Sequence, residues 1–171
     1  HSFGAWTTLA VAGRTFVTPR GRHRQFDDPR VDAAIVMSGQ PARNPKHNEP
    51  AFSTIDIPCL HMTGTLDEAM IGDTTAKERR IPFDHTPGLD EGGADQYLLI
   101  LDGGDHQVFS GRRWRPSEAD PAKDPRFHRL IQRASTAFLD AYVRNDAEAR
   151  VWLKEGGFTK DLAGDGTFEM K

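Results

Sequence analysis

Three residues of this sequence are of the right kinds, in a workable order, to build a nucleophilic site: Ser2, Asp67 and His106. His1-Ser2-Phe3-Gly4 matches the last four positions of Gly-x-Ser-x-Gly, in which a serine occupies a tight strand-to-helix turn that lifts its hydroxyl clear of a sheet. Small residues suit such a turn, and a side chain in place of Gly4 is expected to collide with neighbouring backbone. A serine so placed needs a base, and the base needs a carboxylate to orient it. Asp67 follows Ser2 by 65 residues (67 minus 2) and His106 follows Asp67 by 39 (106 minus 67), each just beyond an apolar run. The chemistry this set suits is acyl transfer, with the Phe3 N–H, at the start of the next helix, donating to the oxyanion.

Each assignment has a plain structural alternative. Ser2 is also a good helix N-cap. Asp73 and Asp84 compete with Asp67 but lie further past the strand end, while His85, in a Pro-bounded loop, and His128, on the charged side of a late helix, compete with His106. Asp105 reads as a loop residue whose side chain accepts from nearby backbone amides. The seven His are scattered, with no His-x-x-x-His or Glu-x-x-His pair on a predicted helix, so neither a metal nor another cofactor is expected. Trp6 and Trp152 read as packing residues; Trp114, in the loop Gly111-Arg-Arg-Trp-Arg115, is a candidate for lining a substrate pocket.

The elements that must position these residues are legible as apolar runs and periods. Ala5 to Ala12 reads as a short buried helix closed by Gly13. Val31 to Met37, Cys59 to Thr63 and Tyr97 to Leu101 read as three buried strands, the last two ending just before Asp67 and His106. Residues 39 to 54 carry Pro41, Pro45 and Pro50 and are expected to be loop, and Thr74 to Arg80 has the composition of a short exposed helix. Phe127, Leu130, Ile131, Ala134, Phe138, Ala141 and Tyr142 recur at intervals of three or four, which predicts an amphipathic helix from about Pro125 to Arg144 with Asp124 as N-cap. Glu148 to Lys154 is expected to add a turn or two of helix, and the tail from Phe158 shows no period. Continuous apolar strands separated by helices imply the α/β class, with a parallel sheet covered on both faces. At the C-terminal ends of such strands, loops converge and sites are built.

Composition limits the partners. The 171 residues are 37% hydrophobic and 27% charged, with a formal net charge of -3. Lys and Arg are interleaved with Asp and Glu, which argues against nucleic acid, and the densest basic stretch, Arg20 to Arg24, is followed by Asp27 and Asp28 and reads as a solvated loop. No run approaches the roughly 20 apolar residues that a membrane span requires. The single cysteine, Cys59, sits in an apolar run and is expected to be buried and inert, and it leaves the compartment open.

With these residues in hand, the sequence resembles the α/β-hydrolase superfamily, in the group similar to dienelactone hydrolases and platelet-activating-factor acetylhydrolases. His1-Ser-Phe-Gly-Ala5, Met62-Thr-Gly-Thr-Leu-Asp67, Ile71-Gly-Asp-Thr-Thr75 and Gly103-Gly-Asp-His-Gln-Val-Phe-Ser-Gly111 carry the resemblance. Dienelactone hydrolases proper use cysteine where this chain has Ser2. The resemblance implies a serine esterase working on a small-molecule ester, with a peptidase or amidase, or a non-catalytic module of the same fold, as the other readings. It also implies that residues 1–171 are the C-terminal part of one such domain, begun inside the motif at Ser2. On that reading Val31 to Met37 is an exposed edge, and the chain alone is inactive without the N-terminal half that carries the second oxyanion donor.

Overall fold

The computed structural model describes residues 1–18 and 20–171. In chain order its elements are helix α1 (Phe3–Val11), the short strands β1 (Phe16–Val17) and β2 (His23–Arg24), strand β3 (Ala34–Met37), helix α2 (Asn48–Phe52), strand β4 (Cys59–Leu66), helix α3 (Ile81–His85), strand β5 (Gln96–Asp105), helices α4 (Asp124–Tyr142), α5 (Ala147–Lys154) and α6 (Gly157–Leu162), and strand β6 (Gly166–Met170). The architecture is mixed α/β. The main sheet runs β3-β4-β5-β6, with parallel pairing among the first three and β6 antiparallel to β5. β1 and β2 form a separate antiparallel ribbon. No helix among the described residues is long and apolar enough to cross a membrane.

Alternation along the strands sends side chains to two cores. Leu60, Met62, Tyr97, Leu99 and Leu101 pack with Phe127, Leu130, Ala134 and Phe138 of α4 and with Leu153, Phe158 and Leu162 of α5 and α6. Ala34, Val36 and Cys59 pack on the other face with Ala5 and Leu9 of α1 and Ala51, Phe52 and Ile55 in and after α2. Cys59 is fully buried, and desolvation pushes its thiol up to about 12, so thiolate chemistry is suppressed there. Helix α4 matches its predicted period, since Phe127, Leu130, Ala134, Phe138 and Ala141 are its buried stripe.

Several expectations need correction. The sheet has a fourth strand, β6, in the tail where no period was visible, because an edge strand with one half-exposed face carries little apolar signal. β3 begins at Ala34 rather than Val31 and does lie at the sheet edge. The stretch 39 to 54 contains a 3-10 turn at Pro45–His47 and then α2; Pro50 is tolerated because it falls in the first turn, where its missing N–H has no intrahelical acceptor. Asp124 is the first residue of α4 rather than its cap; the chain enters through a 3-10 turn, Pro121–Lys123, capped by the Asp120 side chain. The stretch Ala76–Arg80 is a 3-10 helix followed directly by α3, and its Arg79 is buried rather than exposed. His23 and Arg24 of the basic stretch are solvated but paired in the ribbon.

Candidate active site

Ser2 immediately precedes α1 with φ 57 and ψ -120, a backbone region that a residue with a side chain enters only at a cost of about 1–3 kcal/mol. Its N–H donates to Met37 O at 3.0 Å, which fastens the turn to the C-terminal end of β3. Ser2 occupies the N-cap position of α1, but its hydroxyl caps nothing there. Gly4 does not carry the packing role expected of it: a Cβ there meets nothing within 4 Å among the described residues. The close approaches lie instead at Gly64, where a Cβ would stand 2.1 Å from Gly104 O.

Those two glycines place the other residues of the site. The β4–β5 ladder pairs Gly64 with Leu101 and then Leu66 with Asp105, so residues 102–104 of β5 bulge opposite Thr65 alone. Gly103 adopts φ 83 in this bulge, and its N–H donates to the Thr65 hydroxyl at 2.8 Å. The bulge ends both strands with their next residues side by side, Asp67 beyond β4 and His106 beyond β5.

Asp67 and His106 are both buried. His106 Nδ1 lies 2.7 Å from Asp67 Oδ1, and His106 Nε2 lies 3.0 Å from Ser2 Oγ. A carboxylate only accepts, so the proton of the neutral ring belongs on Nδ1 and Nε2 is left to accept from the Ser2 hydroxyl. Asp67 Oδ2 accepts from the Thr63 hydroxyl at 2.9 Å, and Arg79 Nε stands 3.5 Å from Asp67 Oδ1 and donates to the Asp67 carbonyl at 3.0 Å. The three sequence-predicted residues thus form one continuous relay from hydroxyl to imidazole to carboxylate. The Phe3 N–H, at the first position of α1, has no acceptor among the described residues.

Three of the four competing residues are engaged elsewhere, and the fourth, Asp73, lines a cleft that none of Ser2, Asp67 and His106 touches. Asp84 pairs with Arg80, His85 with Glu49, and His128 Nε2 donates to Val108 O at 3.0 Å. Asp105 accepts from the N–H groups of Gln107 and Val108, as a loop-capping residue should, and also pairs with Arg113, which reaches on to Asp124 at the start of α4. Burial opposes ionisation of Asp105, but the Ser117 hydroxyl and the Arg113 guanidinium outweigh it and hold the carboxyl below its ordinary range. Thr63, Arg79 and the Asp105–Arg113 pair were not singled out from sequence. His1, legible in the sequence only as part of the turn motif, has its ring 4.5 Å from that of His106.

Two clefts open near the loops leaving β3, β4 and β5. The larger, about 1080 Å³, is lined by Trp6, Phe16, Gln40, Ile71 and Ile81 among others and contains none of the three relay residues; the smaller, about 320 Å³, is lined by His106 with Leu66, Met70 and Arg115. Trp114 lines neither, and its backbone N–H donates to Gln107 Oε1. Cleft size and the hydrogen-bonded chain therefore point to different places, and acid-base contacts at bonding distance are the more specific of the two signals. No group of three or more His, Cys, Asp or Glu among the described residues is arranged to hold a metal ion. Compared with known proteins, the chain matches no family model, and no curated protein matches it.

Proposed function

We propose that this chain carries the catalytic machinery of a serine hydrolase of the α/β-hydrolase type, cleaving carboxylic esters through an acyl-enzyme on Ser2. The observation that carries the reading is the relay Ser2–His106–Asp67, at 3.0 and 2.7 Å, hung from a serine in a strained turn at a helix start. The mostly parallel sheet with helices on both faces supports it, as does the order Ser, Asp, His along the chain.

In this mechanism Ser2 Oγ attacks the ester carbonyl carbon while its proton passes to His106 Nε2. The carbonyl π pair moves onto oxygen, and the Phe3 N–H donates to the resulting oxyanion. Asp67 holds the ring with Nδ1 protonated and stabilises the imidazolium without taking its proton. Collapse of the tetrahedral intermediate breaks the bond to the alcohol oxygen, which leaves with the proton from His106. Water then repeats the cycle: His106 takes its proton, its oxygen attacks the acyl carbon, and the carboxylic acid departs as Ser2 recovers its hydrogen.

Treating the intact enzyme with an alkyl fluorophosphonate and locating the adduct by mass spectrometry tests this reading. Label on Ser2, absent in His106→Ala, is expected, together with turnover of a short-chain p-nitrophenyl ester in preference to the matching anilide. Label elsewhere or none at all overturns it, and faster anilide cleavage moves the assignment to an amidase.

A further inference from the structure

Beneath Asp67 lies a charged residue that the proton relay does not use. Arg79 is 1% exposed, on a 3-10 helix whose composition suggests a solvated segment. Its Nε donates to the Asp67 carbonyl at 3.0 Å, and its Nη1 donates to the carbonyls of Ser38 at 3.1 Å and Gly39 at 3.3 Å. Ser38 directly follows Met37, whose carbonyl holds the Ser2 N–H. One planar guanidinium therefore bridges the turn that bears the acid and the strand end that anchors the nucleophile.

We propose that Arg79 is a positioning residue for the Ser2–His106–Asp67 relay, fixing the Asp67 turn against the end of β3 and setting a positive charge behind the Asp67 carboxylate. This rests on the acyl-transfer reading above and adds to it the residue that holds its geometry.

Two features argue that the charge matters as well as the bridge. Asp67 is the only carboxylate within 4.0 Å of Arg79 among the described residues. The neighbouring acids are otherwise placed: Glu78 is turned to the Thr75 amide and hydroxyl, and Glu68 is felt only at longer range. Burial works against the charged guanidinium, pulling it below its ordinary value, and Asp67 is the largest opposing influence. Nη2 is buried without a hydrogen-bond partner. A neutral donor would serve a purely structural bridge at less desolvation cost, so a buried arginine here is explained by its charge and its fork together.

Arg79→Lys keeps the charge but cannot span three carbonyls, while Arg79→Gln keeps donors without charge. The measurement is the rate of Ser2 labelling by the fluorophosphonate across pH, with folding followed by circular dichroism. In Arg79→Gln the rate is expected to fall about 10- to 100-fold. Its acid limb is expected to move up by roughly half a pH unit or more, because the imidazolium–carboxylate pair no longer competes with a nearby cation. In Arg79→Lys the rate also falls, and the limb stays at its wild-type position. A Gln variant whose limb does not move overturns the proposal. If that variant does not fold, the Lys variant decides: a lowered rate with an unmoved limb supports the proposal, and a displaced limb or an unchanged rate overturns it. A wild-type Ser2 that takes no label removes the hydrolase reading and this one with it, whereas a labelled wild type with unmoved variants removes only the role of Arg79.

Discussion

Ser2 and His106 are separated by 104 residues of chain and 3.0 Å of space, and neither works alone in the mechanism proposed. In the intact enzyme, Ser2→Ala and His106→Ala are each expected to lower ester turnover by at least about 1,000-fold, with the double variant little worse than either single, because members of one catalytic unit are strongly non-additive. Steady-state kinetics on the three variants checks this, and losses that multiply would show the two side chains acting independently. At this scale the sequence was informative where chemistry restricts residue type. Residue types able to serve as nucleophile, acid and base have few substitutes, so order and strand-end placement were enough to single out Ser2, Asp67 and His106, which lie within hydrogen-bond distance of one another in the order Ser2–His106–Asp67. Arg79 was not legible, because Lys77-Glu78-Arg79-Arg80 has the composition of a solvated segment, and nothing local shows that one of its cations turns inward.

At the scale of elements, the β4–β5 bulge is the device that sets Asp67 beside His106. Gly64 has no room for a methyl group, since the nearest atom is main chain, Gly104 O, which cannot step aside. Gly64→Ala is expected to destabilise the fold by roughly 2–4 kcal/mol and to lower turnover in the molecules that remain folded, because Asp67 and His106 both leave that bulge. Urea unfolding combined with labelling per folded molecule separates the two effects; an unaffected labelling rate would mean that the bulge does not control the relay. The three parallel strands and α4 could be read from sequence since their apolar runs and period are continuous. β6 and α2 could not: an edge strand shows half a pattern, and α2 is one turn and a half containing a proline.

Across the whole molecule, His61 is a buried titratable group that joins neither core. His61 is buried in β4 against Phe83, with neither ring nitrogen hydrogen-bonded. Desolvation pulls its pKa from 6.5 to about 4; the nearby Gln96 side chain is the largest opposing influence, Lys171 adds to the lowering and Asp84 opposes it. In the unfolded chain the ring takes its proton near the ordinary value, so the folded state keeps full stability above that pH and loses it as pH falls toward the lowered value. The loss is about 1.4 kcal/mol per pH unit, roughly 3 kcal/mol over the interval. His61→Leu is expected to flatten this part of the profile, as measured by urea midpoints near neutrality and at about pH 4.5, and an unchanged slope would assign the acid sensitivity to other groups.

The bulge, the anchor at Met37 and the inward arginine share one property: none closes a local loop. Parallel pairing brings together segments distant along the chain, and such contacts form late, after most of the entropy of chain closure has been met. Helix α4, built from contacts three and four residues apart, has no such delay. In refolding, helical signal should therefore recover first, and Ser2 should regain phosphonate reactivity only as the last register locks, so that the site's own chemistry times the completion of the fold.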